Sequence, residues 1–313
     1  MNATAPGKII LFGEHAVVYN RPALAVPVTQ VHVDVEVLDS PRAGVWINAP
    51  DIGLHAELNS LPADHPIGSV IRKLFSTFGI PSPFKRGQGE GLDISIASTI
   101  PVAAGLGSGA AVSVALIRAL ALYAAHPLTN GQVNELAFEI EKLYHGTPSG
   151  IDNTVITYAK PVYFIKGQPI ETFKVGKSFT IVIGDTGIPA PTKESVGDLR
   201  RLWLRDATAF EEYFNEIAQI TLIARRSIES GKPESLGELM DQNHVLLQSM
   251  TISSPALDKL VKAARKAGAL GAKLSGSGRG GNMIALVEQA NAESIAGALI
   301  SAGAKRTIIT EVN

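Results

Sequence analysis

The sequence predicts an α+β protein of two domains, with helices covering one face of each sheet. Three observations point there. The chain has 313 residues, against roughly 100 to 200 for a usual domain. Its opening half places strand-like segments ahead of helices that follow one another directly. A polar stretch with Gly and Pro, KGQPIETFKVGKS, then separates that half from a second set of strands and helices. A boundary in this stretch gives domains 1–175 and 176–313.

The elements follow in chain order. Lys8 to Phe12, Val31 to Leu38 and Leu92 to Ser98 are β-branched or alternating runs bounded by Pro, Gly or Asp, the pattern of strands. A helix is expected from Ser108 to Ala125. A second begins near Thr129 as N-cap, places Val133, Leu136, Ala137, Ile140, Leu143 and Tyr144 on one face, and stops at Gly146, Pro148 and Gly150. Lys160 to Ile165 and Phe179 to Gly184 are strand-like. Beyond them come several helices, the glycine-rich turn Ser275 to Gly281, a strand Asn282 to Val287, a helix Ala290 to Ala302 and a strand Arg306 to Val312.

Composition narrows the function classes. Hydrophobic residues at 45% and charged residues at 18% supply a sizeable core and argue against disorder. A formal net charge of -1 removes the electrostatic reason to expect nucleic acid. With no cysteine, disulfides and thiolate metal sites are excluded. The start lacks a basic segment followed by a long apolar one, and the apolar stretch Ala110 to Ala125 contains Ser113 and Arg118 and is shorter than the ~20 residues that span a bilayer. The expectation is a cytoplasmic protein without membrane or nucleic-acid partners.

The segment Thr99 to Ala111, TIPVAAGLGSGAA, lies between a strand and a helix whose first turn holds Gly107, Ser108, Gly109 and Ala110. Unpaired amides and about half a positive charge at a helix N-terminus suit an anion. Three readings of this loop stand side by side: a tight connection; a dinucleotide turn, since Gly105, Gly107 and Ala110 fit G-x-G-x-x-[G/A]; and a nucleotide-phosphate loop of a kind other than Walker A, whose G-x-x-x-x-G-K-[ST] is missing. A second helix, rather than a parallel strand, follows the first, which counts against the dinucleotide reading.

Phosphoryl transfer to an alcohol needs charge neutralisation, a metal on the nucleotide and a group that orients or deprotonates the hydroxyl. Asp152 sits just past the turn in EIEKLYHGTPSGIDN, where it can serve as that group or as a helix cap. Glu141 on the preceding helix is an oxygen donor for Mg²⁺ or a solvated side chain. Lys8 opens an apolar strand after Pro6 and Gly7, and Glu14 and His15 follow Gly13; such charges are costly to bury unpaired.

Together these segments resemble the signature motifs of the GHMP kinase superfamily, in the form found in mevalonate kinases. Ala5 to Tyr19, Ala103 to Ala111 and Lys273 to Leu286 are similar to the three motifs in order. His145 to Asn153, Asp185 to Val196 and Asn243 to Val261 agree as well, so the likeness runs over nearly the whole chain. The resemblance implies an N-terminal domain like domain 2 of ribosomal protein S5, a ferredoxin-like C-terminal domain and an active site between. It implies ATP-dependent phosphorylation of the C5 hydroxyl of mevalonate, with Mg²⁺, and a homodimer. Carried over by position, Asp152 is the catalytic aspartate and Lys8 its cationic partner. Ser98, Ala103, Ala104, Gly105, Leu106, Gly107, Ser108 and Gly109 hold ATP, with Asp51 near the nucleoside. Glu141 and Ser108 serve the metal, Glu14 and His15 line the mevalonate pocket, and Thr192 approaches the transferring group.

The chain departs from the family pattern at Gly109, where a second serine is usual, at Arg279, where glycine is common, and at Asp51, where asparagine is frequent. The glycine loop does not separate mevalonate from phosphomevalonate, galactose or homoserine as acceptor, nor from a mevalonate diphosphate decarboxylase or a silent binding relative. His15 and the HGTPSGID segment favour mevalonate.

Overall fold

A computed structural model describes residues 1–80, 91–101, 104–145, 148–169, 171–189 and 192–313. It divides into two compact units. The first comprises Met1–Gly7, Val31–Pro101 and Gly107–Ala159; the second comprises Lys8–Gln30, Val102–Leu106 and Lys160–Asn313. The boundary expected after residue 175 therefore falls within the last stretch of the second unit. Two earlier stretches join that unit through contacts distant in sequence, which no local change of composition marks.

In the first unit, strand β2 (Ala23–Ser40) shows the alternation that marks it in the sequence: Val31, Val33, Val35 and Val37 are buried, and Asp34 and Glu36 are exposed. Residues Val33 to Ser40 pair antiparallel with β5 (Gly91–Ser98). Strand β3 (Gly44–Ala49) lies parallel to β5 on its other side and turns back antiparallel into β4 (Leu54–Glu57), giving the order β4-β3-β5-β2. The hairpin and helix α1 (Pro66–Phe78) lie in a region for which the sequence suggested no element.

Helices α2 (Ser108–Tyr123) and α3 (Asn130–His145) are packed neighbours joined by a short loop, hence antiparallel. Thr129 does cap α3. Its hydroxyl accepts from the Gln132 amide at 3.3 Å while the Gln132 side chain accepts from the Thr129 amide at 2.9 Å, a reciprocal capping box. A further helix, α4 (Ile151–Tyr158), packs on both. Arg118 of α2 ties the far ends together, donating to the Thr157 carbonyl at 2.6 Å and to Asn130 Oδ1 at 3.1 Å.

The second unit takes up strand β1 (Asn2–Phe12) from Lys8 onward. The start of β2 pairs with β6 (Val162–Phe164), which pairs with β7 (Glu171–Thr172). Its main sheet is four antiparallel strands in the order β11-β8-β10-β9: β8 (Phe179–Asp185), β9 (Gly271–Ser275), β10 (Asn282–Val287) and β11 (Arg306–Val312). Between β8 and β9 run α5 (Thr192–Arg205), α6 (Ala207–Glu229), α7 (Leu236–Ser249) and α8 (Pro255–Lys266), and α9 (Ala292–Ser301) joins β10 to β11. With α5 to α8 taken as one crossover, this is a β-α-β-β-α-β arrangement, the ferredoxin-like pattern. Helices α7, α8 and α9 pack on the sheet, and β8, β9 and β10 are buried along their whole length. Among the described residues no helix is long and apolar enough to cross a membrane.

Candidate active site

In the second unit the site begins where β1 ends. Gly13 has φ +90, and a Cβ there would collide with the Pro22 carbonyl and lie 2.5 Å from Ala23 Cα, so only glycine fits. The chain then makes a turn centred on His15, at φ 62 and ψ -49, closed by the Ala16 amide on the Glu14 carbonyl at 2.7 Å. This is a γ-turn of positive φ, rare and strained in a residue with a side chain. The turn drives both side chains inward, leaving Glu14 2% and His15 5% exposed.

Strand β9 supplies the charge that answers Glu14. Lys273 is completely buried, and its ammonium donates to Glu14 Oε1 and to the Leu274 carbonyl at 2.6 Å. Burial pushes the Glu14 carboxyl up, with Lys273 pulling it back, and pushes the Lys273 ammonium down. His15 Nε2 lies 3.2 Å from the Ser277 carbonyl, and burial holds the imidazole down at about 4, so the ring is neutral near pH 7.

The same unit holds the first half of the glycine loop. The Lys8 amide donates to the Leu106 carbonyl at 3.0 Å, and Lys8 itself is 5% exposed. Asn282, at the head of β10, donates its side-chain amide to the Ala104 carbonyl. Ala104 and Leu106 are buried and Gly105 is exposed; Ala103 lies outside the described residues. The Ser275 to Gly281 turn is fastened by Ser275 Oγ on the Ile10 carbonyl at 2.8 Å and by the Gly281 amide on the Ile188 carbonyl at 3.0 Å. Arg279 reaches Asp198 of α5 at 3.4 Å. Of Thr192 the backbone is described, and it opens α5.

The first unit carries the second half of the loop and the carboxylates. Gly107, at φ 76, is the N-cap of α2, and Ser108 and Gly109 form its first turn. Asp152 stands in the first turn of α4. Asn153 Nδ2 donates to Asn134 Oδ1 at 2.7 Å, and Arg118 reaches both Asn130 and Thr157, so α4 runs antiparallel to α3 with Asn153 level with Asn134. At about 1.5 Å per residue, Glu141 then lies roughly 9 Å beyond Asp152 along the helix axis. The N-terminus of α2 and the C-terminal turns of α3 share one end of the cluster, which turns Ser108 and Glu141 toward that end, whereas α4 begins part-way along α3 and sets Asp152 further in. Ser98 donates its amide to Asp51 Oδ2 at 2.6 Å, so the aspartate that replaces a frequent asparagine spends one oxygen on the backbone.

Comparison with known proteins fits this arrangement. The GHMP kinases N terminal domain model matches residues 66–160 and the GHMP kinases C terminal model matches 224–305. A mevalonate kinase from Thermococcus gammatolerans is 35% identical over 327 residues, covering 99% of this chain and 96% of the relative. The chain belongs to the mevalonate kinase family of GHMP kinases. Solved members share its fold: L. major mevalonate kinase in complex with R-mevalonate has a TM-score of 0.85 at 27% identity over 100% of this chain and 96% of that one. The Methanococcus jannaschii mevalonate kinase has 0.83 at 25%, over 99% and 97%.

No group of three or more His, Asp or Glu side chains able to hold a metal occurs among the described residues. Ser108 and Glu141 are both half-buried oxygen donors, which fits Mg²⁺ bound chiefly by phosphates and water. At Gly109 an added Cβ would meet nothing within 4 Å, so the room of the usual serine remains although its hydroxyl does not.

Two residues that this geometry singles out had no role assigned from the sequence, Lys273 and Asn282. The signal for Lys273 was a lone charge in the otherwise apolar run before the glycine turn, a residue that must be paired once buried.

Proposed function

We propose that this chain transfers the γ-phosphoryl group of ATP to the C5 hydroxyl of (R)-mevalonate, giving 5-phosphomevalonate and ADP. The match to mevalonate kinases over nearly the full chain, one of them solved with R-mevalonate, carries this reading.

Asp152 accepts the C5 hydroxyl proton, or a hydrogen bond from it, as the oxygen attacks the γ-phosphorus and the bond to the β-phosphate oxygen breaks. Lys8 stabilises the charge that develops on the transferring group. The amides from Ala103 to Gly109 hold the phosphates, the Gly107–Gly109 portion adding the N-terminus of α2. Ser98 and Asp51 lie toward the nucleoside, and Thr192 toward the transferring group. Ser108 and Glu141 would hold Mg²⁺, which neutralises charge on the phosphates when bound. Glu14 and His15 line the mevalonate pocket. The cytoplasm as location, expected from the sequence pattern, and a homodimer as assembly, implied by the resemblance, complete the proposal.

Positioning and electrostatics carry most of such a reaction. Asp152→Ala therefore lowers turnover by about 10²- to 10⁴-fold and leaves ATP affinity, measured by titration calorimetry, nearly intact. Turnover equal to the wild type's would remove Asp152 from the mechanism.

A further inference from the structure

Phosphoryl transfer as described gives Lys273 nothing to do, yet its side chain is 0% exposed and its partner Glu14 is 2% exposed. Stability alone is a weak reason to keep such a pair, because well-packed apolar residues of similar volume serve as well or better. The ammonium is fixed on both sides. It donates to Glu14 Oε1 and to the Leu274 carbonyl. Leu274 is in turn held by its amide, which donates to Nδ1 of His244 at 3.3 Å, and His244 Nε2 faces Asp258 Oδ1 at 3.2 Å.

What the pair leaves over is specific. Glu14 Oε2 and His15 Nδ1 are both buried without a hydrogen-bond partner among the described residues. A carbonyl only accepts, so the Ser277 carbonyl beside Nε2 requires the proton of the neutral ring to sit on Nε2. Nδ1 is then a lone pair. The turn at Glu14 and His15 thus offers acceptors of which one belongs to a carboxylate, and such a surface repels phosphate and carboxylate and receives hydroxyl groups.

We propose that Lys273 is a positioning residue: it holds Glu14 by one carboxylate oxygen so that the other and His15 Nδ1 together accept the C3 hydroxyl proton of the alcohol substrate in one shared hydrogen bond, the C5 hydroxyl being left to Asp152. The inference rests on the reading that the alcohol binds at Glu14 and His15.

Lys273→Met alone leaves a buried unpaired carboxylate and is expected to fold poorly, so the kinetic test uses the full chain with Glu14→Gln and Lys273→Met together, which removes both charges. That variant is expected to melt within a few degrees of the wild type. Its KM for mevalonate rises about 10- to 100-fold, the loss expected for hydrogen bonds to a charged group, while its KM for ATP stays within about twofold. If Lys273 serves the fold alone, Glu14→Gln by itself already gives the whole rise and adding Lys273→Met changes the KM for mevalonate no further; that result, or a folded double variant with the wild-type KM, overturns the proposal.

A second measurement needs neither variant nor turnover. In ¹⁵N-histidine spectra of the wild-type protein near pH 7, His15 is expected as the Nε2-protonated tautomer, with the Nδ1 signal moving toward lower frequency when mevalonate is added. A protonated Nδ1 overturns the inference whatever the double variant does. Absence of ADP release by the wild type with mevalonate, by contrast, defeats the functional reading, and the tautomer still judges this one.

Discussion

His15 ties the stability of the second unit to pH, and the size of the effect follows from its surroundings. Burial lowers its pKa from 6.5 to about 4, with the Arg279 and Lys273 charges adding to the drop and the Ser277 carbonyl opposing it. Because the folded value lies below the unfolded one, the unfolded chain binds the proton more readily. The contribution is therefore fully present above pH 6.5 and is lost as pH falls through about 4. The whole shift corresponds to about 3 kcal/mol, of which about 2 kcal/mol is gone by about pH 5. His15→Gln keeps much of the bulk and cannot titrate. It costs stability at about pH 8 through lost packing, but between about pH 8 and pH 5 it should lose about 2 kcal/mol less than the wild type. His244, whose imidazole burial also holds down, titrates in both proteins and cancels in the comparison. Trp203 lies in the second unit and Trp46 in the first. Urea unfolding in a Trp46→Phe background therefore follows the relevant unit by the fluorescence of Trp203. Equal losses over that pH range in the presence and absence of His15 would refute the reasoning.

Other substitutions probe separate parts of the site. Gly13→Ala places a Cβ against Pro22 and Ala23 at a φ of +90 and should cost about 3 kcal/mol or more in the same unfolding assay; wild-type stability would show that the turn does not need glycine. Gly109→Ser enters open space in the first turn of α2 and should leave stability equal or raised by about 0.5 kcal/mol. It should also lower the Mg²⁺ concentration giving half-maximal activity, and an increased Mg²⁺ requirement would contradict the placement of the metal beside Ser108.

Elements with a strong period or punctuation were legible from sequence. Strand β10 and strand β11 occupy the residues expected, and α2 begins at Ser108 as its glycine turn indicates. Helix α4 was not foreseen, because Ile151, Thr154, Val155, Ile156 and Thr157 are β-branched and favour strands in isolation; its helicity comes from burial against α2 and α3 and from Asn153 bonding to Asn134. The γ-turn at His15 was hidden because glycine is the expected carrier of positive φ, and Gly13 already supplied one. The partner of Glu14 lay 259 positions away, on a strand whose pairing only the sheet register fixes. What the sequence displayed was the need, two charges in apolar surroundings, and not the answer.

The central claim, an ATP-dependent kinase of mevalonate, is tested most directly by ADP release from the purified chain offered mevalonate, phosphomevalonate, mevalonate diphosphate, galactose and homoserine in parallel, with products identified by mass. Release with mevalonate, giving 5-phosphomevalonate and abolished in Asp152→Ala, is the predicted result. ADP formed with another acceptor in preference to mevalonate, or with none of them, would contradict it.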